Sequence, residues 1–153
     1  MVALEIESIF PNLRGTDWSI TSHCDARYNC IAWAADETHV AWWPDPYKIA
    51  YWPAEAPREV SVEAFIRAFE TIGYMRGATD QLHAGFEKVA IYALNGEPKH
   101  AAKQTLAGKW SSKLGKEVDI EHEWNGLDDT IYGKIVHVLK RQIASDDRKE
   151  HSR

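Results

Sequence analysis

Apolar and polar positions follow three rhythms along this chain, and each predicts a different element. The most regular is helical: Val62, Phe65, Ile66, Phe69 and Ile72 recur at spacings of three and four, with Glu63, Arg67 and Glu70 between them. Ser61 stands before this stripe as an N-cap and Gly73 ends it, so residues 61–73 are predicted to form an amphipathic helix. The second rhythm is the run Lys88-Val89-Ala90-Ile91-Tyr92-Ala93-Leu94, a buried strand, closed by the hairpin signal Asn95-Gly96. A second strand begins at Lys99 and carries His100; it breaks at Ala107-Gly108, resumes over residues 109–114, and residues 118–122 add another. The third is a short apolar run, Cys30-Ile31-Ala32-Trp33-Ala34-Ala35, which follows the turn-forming residues 22–29 and reads as a short buried helix opened by Cys30.

The ends and the middle are less regular. Residues 1–22 hold a small apolar patch cut by Pro11-Asn12 and Arg14-Gly15-Thr16-Asp17, an irregular lead-in. Around Trp42-Trp43-Pro44-Asp45-Pro46-Tyr47 and Tyr51-Trp52-Pro53, three prolines forbid regular helix. Their aromatic rings either roof the core or wall a substrate groove. Asp128 opens a predicted terminal helix with Ile131, Ile135, Val138, Leu139 and Ile143 turned inward. With no repeat and no linker, the pattern implies one α+β domain over residues 1–145: helices first, an antiparallel β meander, then a closing C-terminal helix. Residues 146–153 form a charged tail.

Composition narrows the function. A net charge of −5 without a basic stripe argues against nucleic acid as a partner. No apolar run approaches a membrane span, and Met1–Phe10 carries two glutamates where an export signal wants basic residues, so a cytoplasmic location is expected. Cys24 and Cys30 lie six apart; with His23 and His39 they lack zinc spacing, so neither metal nor cofactor is expected. The oligomeric state is not legible.

A cysteine at a helix N-terminus faces unpaired N–H groups and the positive end of the helix dipole, which lowers the thiol pKa. Cys30 is therefore the candidate nucleophile and His100 the candidate base. His122 is the first choice for the group that orients the base, and Asp119 its competitor. Asn29, Trp33, Trp42, Trp43, Trp110 and Lys113 are the candidate substrate contacts. Ser111 and Lys113 share a strand face; Ser112 and Lys113 do not. Each residue also has a plainer reading: Cys30 as core packing, His100 and His122 as strand residues facing solvent, Asp119 as an ion-pair partner of Lys113 or Lys116.

A helix-opening cysteine followed by an antiparallel sheet that presents a histidine resembles the chain order of the papain-like superfamily, including the NlpC/P60-type hydrolases and papain-fold toxins. Asn29-Cys30, His100 after the hairpin turn, and Trp110-Ser111-Ser112-Lys113-Leu114-Gly115 followed by His122 resemble uncharacterised bacterial domains placed in or near that superfamily. The usual oxyanion signature beside the cysteine is absent. The resemblance implies a papain-like fold and a cysteine hydrolase or acyltransferase acting on an amide or thioester of a peptide or protein. The alternative is a non-catalytic domain that docks a protein partner through Trp42-Trp43 and Tyr51-Trp52.

Overall fold

The computed structural model describes residues 2–143; the expected boundary at 145 and the tail 146–153 lie outside the described residues. Three short helices, α1 (Ala3–Ile9), α2 (Cys30–Ala34) and α3 (Val62–Glu70), accompany six strands: β1 (Ser19–Ser22), β2 (Phe86–Leu94), β3 (Glu97–Gln104), β4 (Trp110–Lys113), β5 (Asp119–His122) and β6 (Lys134–Gln142). The strands make one antiparallel sheet in the order β1-β5-β4-β3-β2-β6.

This β-rich architecture corrects the α+β, papain-like arrangement expected from sequence. No closing helix forms: the segment with Ile135, Val138 and Leu139 is the edge strand β6, which pairs along the length of β2 from Phe86↔Gln142 to Ala93↔Lys134. Spacings of three and four among its apolar residues mimic a helix, but an unpaired β2 edge would leave a row of backbone groups unsatisfied. Gly133, at φ +76°, sets the turn that starts the strand. The irregular lead-in also gains structure, since it holds α1, a 3₁₀ turn over Pro11–Leu13, and β1 at the other sheet edge.

Where the sequence is strongly periodic, the elements form as read. Ser61 Oγ accepts the Ala64 N–H as an N-cap, and α3 buries Ala64, Phe65, Ile66, Ala68 and Phe69. Asn95 and Gly96 adopt φ 54° and 81°, the left-handed pair that a tight hairpin between β2 and β3 demands.

Strand pairing sorts side chains onto two faces, because alternate residues point opposite ways. Val89, Ile91 and Ala101 face α2, α3, Trp42 and Trp52, which form one core. Ala90, Tyr92, Ala102, Trp110 and Ile120 face Ile6, Phe10, Leu13 and Leu127, which form the other. Among the described residues no helix is long and apolar enough to cross a membrane.

Gly133 gives a sharp test of the β6 turn. A Cβ there would lie 2.0 Å from the Ala93 carbonyl oxygen. Gly133→Ala is expected to destabilise the fold by on the order of 3 kcal/mol. Gly115→Ala, with nothing within 4 Å, should cost distinctly less when the denaturant midpoints are compared.

Candidate functional site

Asn29 builds the start of α2. Its Oδ1 accepts from the backbone N–H of Ala32 (3.1 Å) and of Trp42 (3.0 Å), and its Nδ2 donates to the Trp42 carbonyl (2.8 Å). One side chain thus caps the helix and ties it to the tryptophan segment, a scaffolding role rather than the substrate contact expected. Cys30 is the first residue of α2 and is buried in the core on that face.

The thiol does not carry the lowered pKa that a helix N-terminus suggests. Burial is the largest influence and pushes it up to about 11, against smaller downward pulls from the backbone of Ala101 and Ile31. A five-residue helix offers a weak dipole, and desolvation of a thiolate outweighs it. Cys24, by contrast, is exposed, with its Sγ 3.2 Å from Glu117 Oε2. Iodoacetamide should therefore modify Cys24 at least tenfold faster than Cys30, an order set by access; mass mapping of the two peptides reads it.

On the opposite face of β3 lies a buried polar relay. Lys103↔Ser111 pairing turns Ser112 to the same side as His100, and Ser112↔Ile120 places His122 there too. Ser112 Oγ sits 2.9 Å from His100 Nε2 and 2.7 Å from His122 Nε2, and His122 Nδ1 is 2.9 Å from the Glu123 carbonyl oxygen. His100, Ser112 and His122 have no exposed surface.

Hydrogen-bond chemistry then fixes every proton in this relay. Burial holds the His122 pKa down to about 4; burial, then the nearby His122, hold that of His100 well below its ordinary value. Both rings are therefore neutral at pH 7. A carbonyl oxygen only accepts, so His122 Nδ1 carries the hydrogen and its Nε2 is bare. Ser112 must donate its single O–H to that nitrogen and accept from His100 Nε2–H. His100 Nδ1 is left as a bare lone pair, and this buried atom has no hydrogen-bond partner among the described residues.

Tyr132 covers this relay on the side of its own core. Its ring stacks flat on His100, with centroids 4.0 Å apart and planes 5° apart. Burial is the main reason its hydroxyl pKa is raised, with a smaller contribution from Cys30. Cys30 and His100 thus approach β3 from its two sides beside Ala101, and no hydrogen bond joins them.

The remaining candidates fall elsewhere. Asp119 faces the α2 side, where Oδ2 accepts from Tyr28 Oη (2.9 Å) and from Ser22 Oγ. It has no contact with His100, so it does not orient that ring. Lys113 is fully buried, donates to the Glu117 carbonyl and lies 4.9 Å from the Tyr28 ring centroid. Trp110 packs on Trp124 in the core, and Trp42 is buried. Trp43 packs edge-on against Phe65. Trp33 donates to Ser111 Oγ (3.1 Å) under Lys103. These tryptophans roof and brace the core rather than wall a groove. Among the described residues no group of three His, Cys, Asp or Glu side chains is placed to hold a metal ion. The sequence does not single out Tyr132, and it offers Ser112 only as a weak dyad partner of Lys113; the pairing that brings Ser112 to His100 has no local signal.

The profile of a family described as a domain of unknown function, DUF7689, matches residues 19–140. The chain belongs to that family. No curated protein and no solved structure matches the chain. The DUF7689 span opens on the first residue of β1 and closes within β6, so it contains Cys30, His100, Ser112, His122 and Tyr132.

Proposed function

We propose that this DUF7689 domain is a cytoplasmic cysteine hydrolase or acyltransferase in which Cys30 is the nucleophile and His100 Nδ1 the base. The observation that carries this reading is the forced tautomer: the Glu123 carbonyl, His122 and Ser112 together leave His100 Nδ1 bare, buried and unpartnered. An unsatisfied buried nitrogen costs about 1–3 kcal/mol, which a purely structural histidine pair would avoid. With both groups neutral, activation runs by general base catalysis rather than through a standing thiolate. His100 Nδ1 takes the thiol proton as sulfur attacks a carbonyl carbon, then returns it to the departing amine or thiol; water or a second nucleophile releases the acyl group from sulfur. In the resting fold Cys30 and His100 lie on opposite faces of β3 and Tyr132 covers the base, so the proton transfer requires a local opening of this strand that displaces Tyr132 and brings thiol and imidazole together.

The test uses p-nitrophenyl acetate and a Cys24→Ser background, which removes the exposed thiol. Acetylation of Cys30 with release of p-nitrophenolate is expected. It should disappear in Cys30→Ser, fall by roughly 10²–10⁴ in His100→Ala, and rise in Tyr132→Ala. Absence of a Cys30 adduct in both the background protein and its Tyr132→Ala derivative would remove the hydrolase reading.

The second reading, a protein-docking domain without turnover, is favoured by one observation. Tyr47 (82% exposed) and Ile49 (86%) project from the loop between the tryptophans. Such a domain would show no acetylation and would lose its partner on Ile49→Asp.

A further inference from the structure

A recess lies at the opposite end of β2 and β3 from the hairpin. The strands pair last at Val89↔Lys103 and then part, leaving a cavity of about 380 Å³, within the range of small-molecule sites. Phe86, Tyr74, Leu82, Leu106 and Ile143 supply apolar wall, and the charged lining is Asp36, Glu87, Lys88 and Lys103. Leu82 and Leu106 are 55% and 90% exposed, so the rim is greasy and open to solvent.

Two carboxylates and two ammonium groups line this wall, and they differ in how they are paired. Asp36 is held by Lys103 Nζ (2.9 Å) and Arg141 Nη2 (3.1 Å), and Glu87 by Arg141 Nε (2.7 Å). Lys88, only 3% exposed, has no carboxylate in ion-pair contact among the described residues. Its ammonium donates to the carbonyls of Thr79 (2.7 Å) and Gln81, two of its three hydrogens. Burying a cation without a direct ion pair is costly, and the Lys88 pKa is lowered chiefly by that burial, then by Lys140, with the charge of Asp80 opposing.

We propose that the cleft where β2 and β3 part binds a small monocarboxylate with an apolar tail. The carboxylate meets Lys88 and the tail lies along Phe86, Leu82 and Leu106. Lys88 is the lining charge without a direct ion pair among the described residues, which suits a single negative charge; a phosphate dianion would bring excess negative charge against Asp36 and Glu87. The site is separate from Cys30 and does not depend on its chemistry.

Octanoate is the probe, with octan-1-ol as its uncharged counterpart, titrated into the full chain while the methyl signals of Leu82, Leu106 and Ile143 are followed by NMR. Saturable shifts with octanoate are expected. Lys88→Met, which keeps the bulk and removes the charge, should weaken octanoate binding at least tenfold and leave octan-1-ol unchanged. Leu106→Asp, on an exposed side chain that folding does not need, should weaken octanoate at least tenfold by repulsion. Non-saturable shifts, equal affinity for octanoate and octan-1-ol, or an unchanged octanoate affinity in either variant would overturn the proposal.

Discussion

Acidification from pH 7 to pH 4 is expected to take several kcal/mol from the stability of this fold. The cause is the relay. In the unfolded chain both His100 and His122 bind a proton near pH 6.5. In the folded protein His122 resists protonation down to about 4 and His100 further still, burial being the main reason in both. Between these values the unfolded state holds up to two more protons than the native state, so stability falls as pH falls. Each proton contributes at most about 1.4 kcal/mol per pH unit. The contribution is complete above pH 6.5 and is lost progressively towards 4. Asp128 acts in the opposite direction, because burial raises its carboxyl pKa and the native state then gains from protonation, but it is a single group. The lowered carboxylates Asp25 and Asp45 titrate below this window. Denaturant midpoints measured from pH 7.5 to 4.5 should decline steadily, and His122→Gln should flatten the curve. A wild-type curve that stays level through this range would mean that the two rings are not buried as neutral groups.

Phe65→Ala should cost about 3–5 kcal/mol, the value for emptying a fully packed aromatic site. Phe65 has no exposed surface and stands between Trp43, edge-on at 5.3 Å, and Trp52 at 5.0 Å. Trp52 is itself tied down by its N–H to the Pro57 carbonyl (2.9 Å), so the cavity cannot readily collapse. Arg67→Ala, two residues along and solvent-facing, should change stability by less than about 0.5 kcal/mol. A small loss for Phe65→Ala would return these tryptophans to the role of a loose, ligand-facing wall.

The parts of the fold that were legible in sequence are those whose pattern has one solution. Val62 to Ile72 fits only a helix, and Asn95-Gly96 between two apolar runs fits only a hairpin. The segment from Ile131 to Ile143 admits two solutions, because alternate spacings there satisfy both a helix face and a strand face. The unpaired edge of β2, a tertiary fact, decides between them. The site was legible to the same degree. Cys30 at a helix start and His100 on a strand could be picked out singly. That Ser112 bridges two histidines depends on the registers Lys103↔Ser111 and Ser112↔Ile120, which no local spacing encodes. Nor could the thiol pKa be read, since it is set by a contest between the helix terminus and burial, and burial prevails.

The proposed chemistry rests on where one proton sits, and a long-range ¹H–¹⁵N correlation spectrum of the folded protein at pH 7 reads it directly. His100 should show a protonated Nε2 and an unprotonated Nδ1, with His122 the reverse: Nδ1 protonated against the Glu123 carbonyl, Nε2 bare towards Ser112. Ser112→Ala should release this constraint and let His100 exchange tautomers. A His100 ring protonated at Nδ1 in the wild-type protein would contradict the account, because that nitrogen could then accept no proton from Cys30.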